Sequence, residues 1–420
     1  MHHRFGFLYT RVHRDFSSVP RDIKVLILGF FVYMVGWGVF DPFLSIYLHQ
    51  TVGNYALAGF FYGFTFLIGF FLSVPVGDLS DKVNKISYVW KSMLFYPVVA
   101  LLYFSLSLFS GAISVLLVFA ARALHGAARL FWIPAEGFIR EQSPKGETSA
   151  VFGLHITFYR LAYVIAPLFT IPLALFFGFG LHNLEMLLLF LIPLPIVSAA
   201  IISRIKDEGK PIGVATDEVI EKDGVFSKEL ADLRAIGSAG YLTLLMGFFM
   251  RSILIISLFL IPLYAVSLNY GIVEIALLVA FANAPYLLSF FFAELADSFG
   301  KINLIAVGFA LAALFMVAIV VLSNAEIAFF LAVVGLGFIL AMLQPAVNGL
   351  ITDITPRVQD GEMTGLLNSV LCISSFSTAL LLGFLSDAFS LQLPFFVFAV
   401  LLLAMAFVTY SIKGKVVVRI

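Results

Sequence analysis

Residues 77–85 read Gly77-Asp78-Leu79-Ser80-Asp81-Lys82-Val83-Asn84-Lys85, and 216 positions later residues 293–301 read Ala293-Glu294-Leu295-Ala296-Asp297-Ser298-Phe299-Gly300-Lys301. Each is a short polar turn of small, acidic and basic residues, and each closes a long apolar run, 54–77 or 272–295. A second pair keeps nearly the same offset: Pro144 with Gly146-Glu147-Thr148-Ser149, and Pro356 with Gly361-Glu362-Met363-Thr364, 215 positions apart at the glutamates. Two short matches at nearly one offset argue for an internal duplication.

Composition says what the repeated unit is made of. The chain has 420 residues, 61% of them hydrophobic and 12% charged, with 47 Phe and a mean hydropathy of +1.05. Soluble domains carry about twice that share of charge, so a soluble fold is excluded. The single cysteine, Cys372, excludes an intramolecular disulfide framework and a cysteine-rich metal site; it reads as a small buried thiol.

Apolar runs broken by turn residues place spans near 23–49, 54–77, 87–108, 112–137, 149–177, 183–203, 239–268, 272–295, 302–323, 326–350, 363–386 and 391–412. The basic residues orient them. Arg4, Arg11, Arg14, Arg21, Lys24, Lys82, Lys85, Arg140, Lys145, six between Arg204 and Arg234, Lys301, Arg357, Lys413, Lys415 and Arg419 all fall on one side. The connections near 50–54, 109–112, 178–183, 268–272, 323–326 and 387–391 hold no Lys or Arg. Loops rich in Lys and Arg stay in the cytoplasm. The expected protein is therefore all-α, with twelve transmembrane helices in two six-helix bundles, 23–204 and 238–412, related by an axis along the membrane normal. Residues 1–22 and 413–420 are expected as cytoplasmic tails, the first as a retained tail rather than a signal peptide. The charged central loop, 205–237, carries Phe226, Leu230 and Leu233 at helical spacing, which fits either a surface helix or a solvated tether.

Polar residues inside the spans outline an interior. Met186 to Ala200, Leu304 to Leu322 and Phe395 to Val408 are nearly pure apolar runs that can face lipid. Arg122, Arg129, Arg160 and Arg251 each cost about 2.5 to 3.5 kcal/mol to insert at mid-bilayer, so they should line a shared interior. In the fourth span Arg122, His125, Arg129, Trp132 and Glu136 fall within about 80° of one helical face. Asp41 lies roughly 27 Å up the first helix from Ile23, and Pro42 after it predicts a local break. Asn283, Gln344, Asn348 and Asn368 form smaller stripes that either face the path or hydrogen-bond between helices. For the arginines the alternative is structural ion pairing, with Glu136 or Asp41 as partners. Two acids against four arginines leave a net positive interior, which favours an anionic substrate.

These residues resemble the major facilitator superfamily over essentially the whole chain. Its pattern after the second span, Gly-x-Leu-Ala-Asp-Arg-x-Gly-Arg, is matched by Gly77, Leu79, Ser80, Asp81, Lys82 and Lys85, with Asn84 in place of the second glycine. The copy with Leu295, Ala296, Asp297, Gly300 and Lys301 restores that glycine and loses the first. The resemblance implies a cytoplasmic gating latch that steadies the outward-open state. Arg122-Ala123-Leu124-His125-Gly126 is similar to the Arg-x-x-Gln-Gly pattern that proton-coupled drug exporters link to proton coupling. The exporters' glycine-rich fifth-span pattern is matched only by Ala162, Ala166 and Pro167, which weakens the implied export direction.

The resulting expectation is a secondary transporter working by alternating access, a proton-coupled exporter of a drug-like or metabolite substrate, with Asp41, Arg122 and His125 carrying the proton. Residues 23–412 lack the P-loop run Gly-x-x-x-x-Gly-Lys-Ser/Thr. An organic-anion or sugar symporter or uniporter, and a non-transporting receptor or scaffold, stay open as alternatives. An intramembrane enzyme is disfavoured: His-Glu-x-x-His, Gly-x-Ser-x-Gly and acid pairs at metal-ligand spacing are all missing. The expected setting is the plasma membrane, as a monomer in contact with lipid, a small-molecule substrate and protons, with no cofactor, metal or nucleic acid.

Overall fold

The computed structural model describes residues 19–80, 82–109, 111–143, 148–206, 237–354 and 360–411. Among them there is no strand, and eleven helical spans are long and apolar enough to cross a membrane. In chain order they are α1 (Arg21–Val52), α2 (Tyr55–Ser80), α3 (Lys85–Leu108), α4 (Ala112–Gln142), α5 (Val151–Phe177), α6 (Leu184–Ile202), α7 (Gly240–Ser267), α9 (Lys301–Val321), α10 (Glu326–Leu350), α11 (Asn368–Ala388) and α12 (Leu393–Ser411). The expected eighth span is present as a shorter apolar helix, α8 (Ile272–Leu288), which a more polar helix, Ser289–Phe299, continues. Residues 1–18, Asp81, 207–236, which hold the predicted surface helix, and 412–420 lie outside the described residues, and the expected N-terminal tail is shorter than 1–22 because α1 begins at Arg21.

Several spans are interrupted at proline. A 3-10 turn at Asp41–Phe43 holds Pro42, as the Asp-Pro pair predicted, and another at Ala284–Leu288 holds Pro285. In α4 a 3-10 turn at Arg129–Phe131 precedes Pro134, and in α7 a π turn at Ile256–Leu260 precedes Pro262. Proline lacks the N–H that the carbonyl four residues earlier would receive, so the ladder must rearrange there. These rearrangements fall beside the polar residues Asp41, Arg129, Asn283 and Tyr286.

α1 packs against α5 and α6, α2 against α4, and α3 against α4 and α6. Among the later helices α7 packs against α10 and α11, α8 against α10, and α9 against α10 and α12. The two groups meet chiefly where α2 runs along α11 and α5 along α8. Because the repeat equates α2 with α8 and α5 with α11, these are one contact made twice.

The α2–α11 contact is the closer of the two, and glycine makes it so. A Cβ on Gly59 would lie 2.3 Å from the Ala379 carbonyl oxygen, and one on Gly383 2.2 Å from that of Tyr55. With little apolar driving force between helices in lipid, backbone approach at small residues supplies the packing. The end bearing the 50–54 connection is also clasped: Asp387 of α11 accepts from the Tyr55 and Ala56 N–H groups at 3.0 and 2.7 Å. An anion at a helix N-terminus satisfies orphan donors and complements the helix dipole. Toward the basic end Asn368 donates to Ser73 at 2.7 Å.

Candidate functional site

The interior arginines divide into two kinds. Arg122 is 1% exposed and spends its donors on structure. Its Nε donates to the Phe61 carbonyl at 2.8 Å, Nη2 to that of Tyr62, and Nη1 to the Tyr103 hydroxyl at 3.1 Å. Thr65 answers by donating to the Arg122 carbonyl at 3.2 Å. This residue pins α4 to α2 through backbone carbonyls and to α3 through the Tyr103 hydroxyl, rather than through the acid partners considered from sequence. His125 follows it, with Nδ1 3.3 Å from Arg122 Nη1 and its ring edge-on to Trp37 at 4.3 Å. Asp41 is 6% exposed and accepts from the Tyr163 hydroxyl of α5 at 3.1 Å.

The other three arginines rest on aromatic faces around the junction of the two helix groups. Arg129 of α4 lies 4.4 Å over the Phe66 ring of α2, and Arg251 of α7 lies 5.6 Å over the same ring. Arg251 Nε also donates to Ser375 of α11 at 2.9 Å. Arg160 of α5 sits 3.7 Å over Tyr286 of α8 and donates from Nη2 to Gln344 of α10 at 2.8 Å. Three ion pairs are found among the described residues: Lys82 with Asp78, Lys85 with Glu141, and Arg140 with Glu136. None includes an interior arginine. Each aromatic contact is worth roughly 0.5 to 2 kcal/mol, less than the insertion cost of the charge, so the interior keeps positive charge for a partner to balance.

The remaining sequence candidates are more peripheral. Glu136 pairs with Arg140 at 3.8 Å, Asn283 donates to the Val279 carbonyl of its own helix at 2.9 Å, and Asn348 is partnered within the chain. The structure thus brings Arg129, Arg160, Arg251 and Gln344 together at the helix-group junction and leaves Asn283 and Glu136 bonded within their own helices. In the latch, Gly77 is buried in α2, and Lys82 bonds Asp78 at 3.0 Å. Lys85 bonds Glu141 at 2.8 Å, with its methylenes over Gly137 of α4. In the second copy Lys301 lies in the same way over Gly349 of α10. Asp297 belongs to the helix Ser289–Phe299. Gly300 takes the left-handed φ of 85°, which accounts for glycine there. Asn84 replaces it in the first copy at φ −62°, capping α3 by accepting from the Ser87 N–H at 2.6 Å.

Sequence reasoning missed Phe66 and Tyr163, which carry no signal among 47 Phe and 15 Tyr, whereas Tyr286 falls in the polar stripe of the eighth span with Asn283. It also missed His155 of α5, 3% exposed, edge-on to Phe30 and Trp132 at 5.1 and 5.5 Å, with neither ring nitrogen hydrogen-bonded. An ionisable residue inside a predicted span was signal enough to find it.

A family model described as Major Facilitator Superfamily matches residues 26–287 and 275–415. An uncharacterized MFS-type transporter of Methanocaldococcus jannaschii is 26% identical over 388 residues, covering 88% of this chain and 92% of that protein. Among solved structures, a POT family transporter in complex with a thioalcohol conjugated peptide superposes with a TM-score of 0.71 at 13% identity, over 94% of this chain and 97% of that one. The human organic anion transporter MFSD10 superposes at 0.65 and 14% identity, over 93% and 100%. At these identities the solved structures testify to the fold alone.

Proposed function

Since the chain belongs to the major facilitator superfamily and is a multi-pass membrane transporter of a small molecule, we propose that its cargo is an organic anion, carried by alternating access of 23–204 against 238–412. One observation carries this reading: Arg129, Arg160 and Arg251 converge at the junction with no acidic side chain in an ion pair with them among the described residues. An anion bound there balances charge that the protein leaves open. We place the basic end in the cytoplasm, following the Lys and Arg distribution, and the protein in the plasma membrane.

Proton coupling is the finer part of the proposal, and its carrier is Asp41. This carboxyl is buried, accepts from a tyrosine hydroxyl, is in no ion pair among the described residues, and sits at a helix break where its surroundings can change with the transport state. We assign export in exchange for protons. An inside-negative potential pushes an anion outward by about 2.3 kcal/mol per charge per 100 mV, so cargo charge and proton entry drive the cycle in one sense.

The test is flux in proteoliposomes of the full chain, with organic anions, sugars and organic cations supplied in turn under imposed pH and potential gradients. Anion flux that Arg251→Ala abolishes supports the cargo class, and flux confined to sugars or cations rejects it. Anion flux indifferent to the pH gradient, or unchanged by Asp41→Asn, rejects the coupling. Uptake together with protons would reverse the assigned direction.

A further inference from the structure

Among the described residues, Arg160 is the interior arginine with a buried guanidinium nitrogen, Nε, that has no hydrogen-bond partner. Its Nε–H and one Nη2–H point the same way, as two parallel donors spaced to meet the two oxygens of a carboxylate. In the structure Nη2 is taken by the amide oxygen of Gln344 at 2.8 Å, while Nε is buried with no hydrogen-bond partner. A buried donor left unpaired is costly and uncommon. Arg160 is itself 6% exposed, so the orphaned donor lies in the interior and not at a wet rim.

The guanidinium is stacked at 3.7 Å on Tyr286 and flanked at 5.3 Å by Tyr159, which fixes its plane. Gln344 supplies one sp2 oxygen where two are wanted. The same bond ties α5, from before the central loop, to α10, from after it.

We propose that the Nε–Nη2 edge of Arg160 is a carboxylate subsite of the transport site, that Gln344 occupies one of its two places in the empty protein, and that an arriving carboxylate exchanges for the amide and so unties α5 from α10. The cargo is then an anion that carries a carboxylate, the planar two-oxygen group that matches this edge. The gating consequence follows from the geometry. The empty protein holds the two helix groups together by a bond that the substrate must replace, so occupancy and release of the junction are one event. This rests on the organic-anion reading and narrows it.

The test is a thermal-shift and equilibrium-binding series on the purified full chain. The probes are straight-chain monocarboxylates, dicarboxylates and benzoate, each beside its primary amide and its sulfonate. Carboxylates are expected to stabilise the protein where their amides and sulfonates do not. Gln344→Glu places a tethered carboxylate on the same edge. It is expected to raise the melting temperature of the empty protein and to weaken carboxylate binding at least tenfold. Gln344→Ala removes the competing oxygen and is expected to tighten binding. Arg160→Lys keeps the charge but not the paired donors, and should erase the preference for carboxylate over sulfonate, which a purely structural role for the arginine would not do. Sulfonates binding as well as carboxylates, or Gln344→Glu binding carboxylates as the parent does, would overturn the proposal and leave the organic-anion reading standing. Binding and flux confined to neutral or cationic solutes would overturn both.

Discussion

Replacing Gly383 by alanine should hold α2 and α11 apart at the end that Asp387 clasps. The new Cβ would lie 2.2 Å from the Tyr55 carbonyl oxygen, 2.9 Å from its carbon and 3.1 Å from the Ala56 Cα. All three are backbone atoms and cannot rotate away. A carbon and a carbonyl oxygen approach no closer than about 3.3 Å even in C–H···O contacts, so the backbones must part by about 1 Å. The clasp is four residues away. Its 3.0 and 2.7 Å bonds to Tyr55 and Ala56 would stretch toward 4 Å and cease to be hydrogen bonds. Overpacking costs about 1 to 3 kcal/mol, and charge-assisted bonds about 1.5 to 3 kcal/mol each when buried, less at this exposed end. A total of about 3 kcal/mol shifts the equilibrium toward the state open at this end by about a hundredfold. Spin labels at Leu108 of α3 and Ile327 of α10, both highly exposed and on opposite sides of the junction, read that opening as a longer distance in a Cys372→Ala background. Gly153→Ala is the control, because a Cβ there meets nothing within 4 Å. A Gly383→Ala protein that folds normally and keeps the parent distance distribution would refute the reasoning.

Asp387→Asn keeps one acceptor and the shape but removes the charge, so it should open the same end less than Gly383→Ala does, by about threefold to tenfold in the same distance measurement. Arg122→Ala should lower thermal stability by roughly 2 to 5 kcal/mol, because three donors to α2 and α3 vanish together; Arg122→Lys should recover little of it, since one ammonium cannot reach all three acceptors. Gly126→Ala and Gly137→Ala should differ in melting temperature. The first drives a Cβ to 2.7 Å from the Thr65 carbonyl oxygen, at about 1 to 3 kcal/mol, whereas the second meets only the flexible end of Lys85 at 3.1 Å and should cost under about 0.5 kcal/mol.

How far the sequence reached depended on the distance over which each cause acts. The spans and the Asp41–Pro42 break were legible because each is set by contiguous residues, whereas the segments read as paired turns begin inside helices: 77–80 ends the helix Tyr55–Ser80 and 293–299 ends the helix Ser289–Phe299. The exception is α8, where Pro285 and the charges beyond it make the described apolar helix shorter than the span expected over 272–295. The Gly-x-Gly pairs at 36–38 and 335–337 lie in apolar spans, where small residues let helices pack closely. The structure puts Leu194, Ala166, Phe315 and Ala282 against these glycines.

What the sequence determined by itself is a chain for the bilayer with four arginines inside its spans. Transfer free energy adds along the chain, so a one-dimensional reading captures it. Which arginine is a clamp and which is free to meet a ligand was decided only by tertiary structure. Arg122 spends its donors on carbonyls 60 and 61 positions away, Arg160 bonds a side chain 184 positions away, and Asp387 caps a helix that begins more than 330 positions before it. Every helix offers the same carbonyls and N–H groups, so only the packing of one helix on another selects the partner.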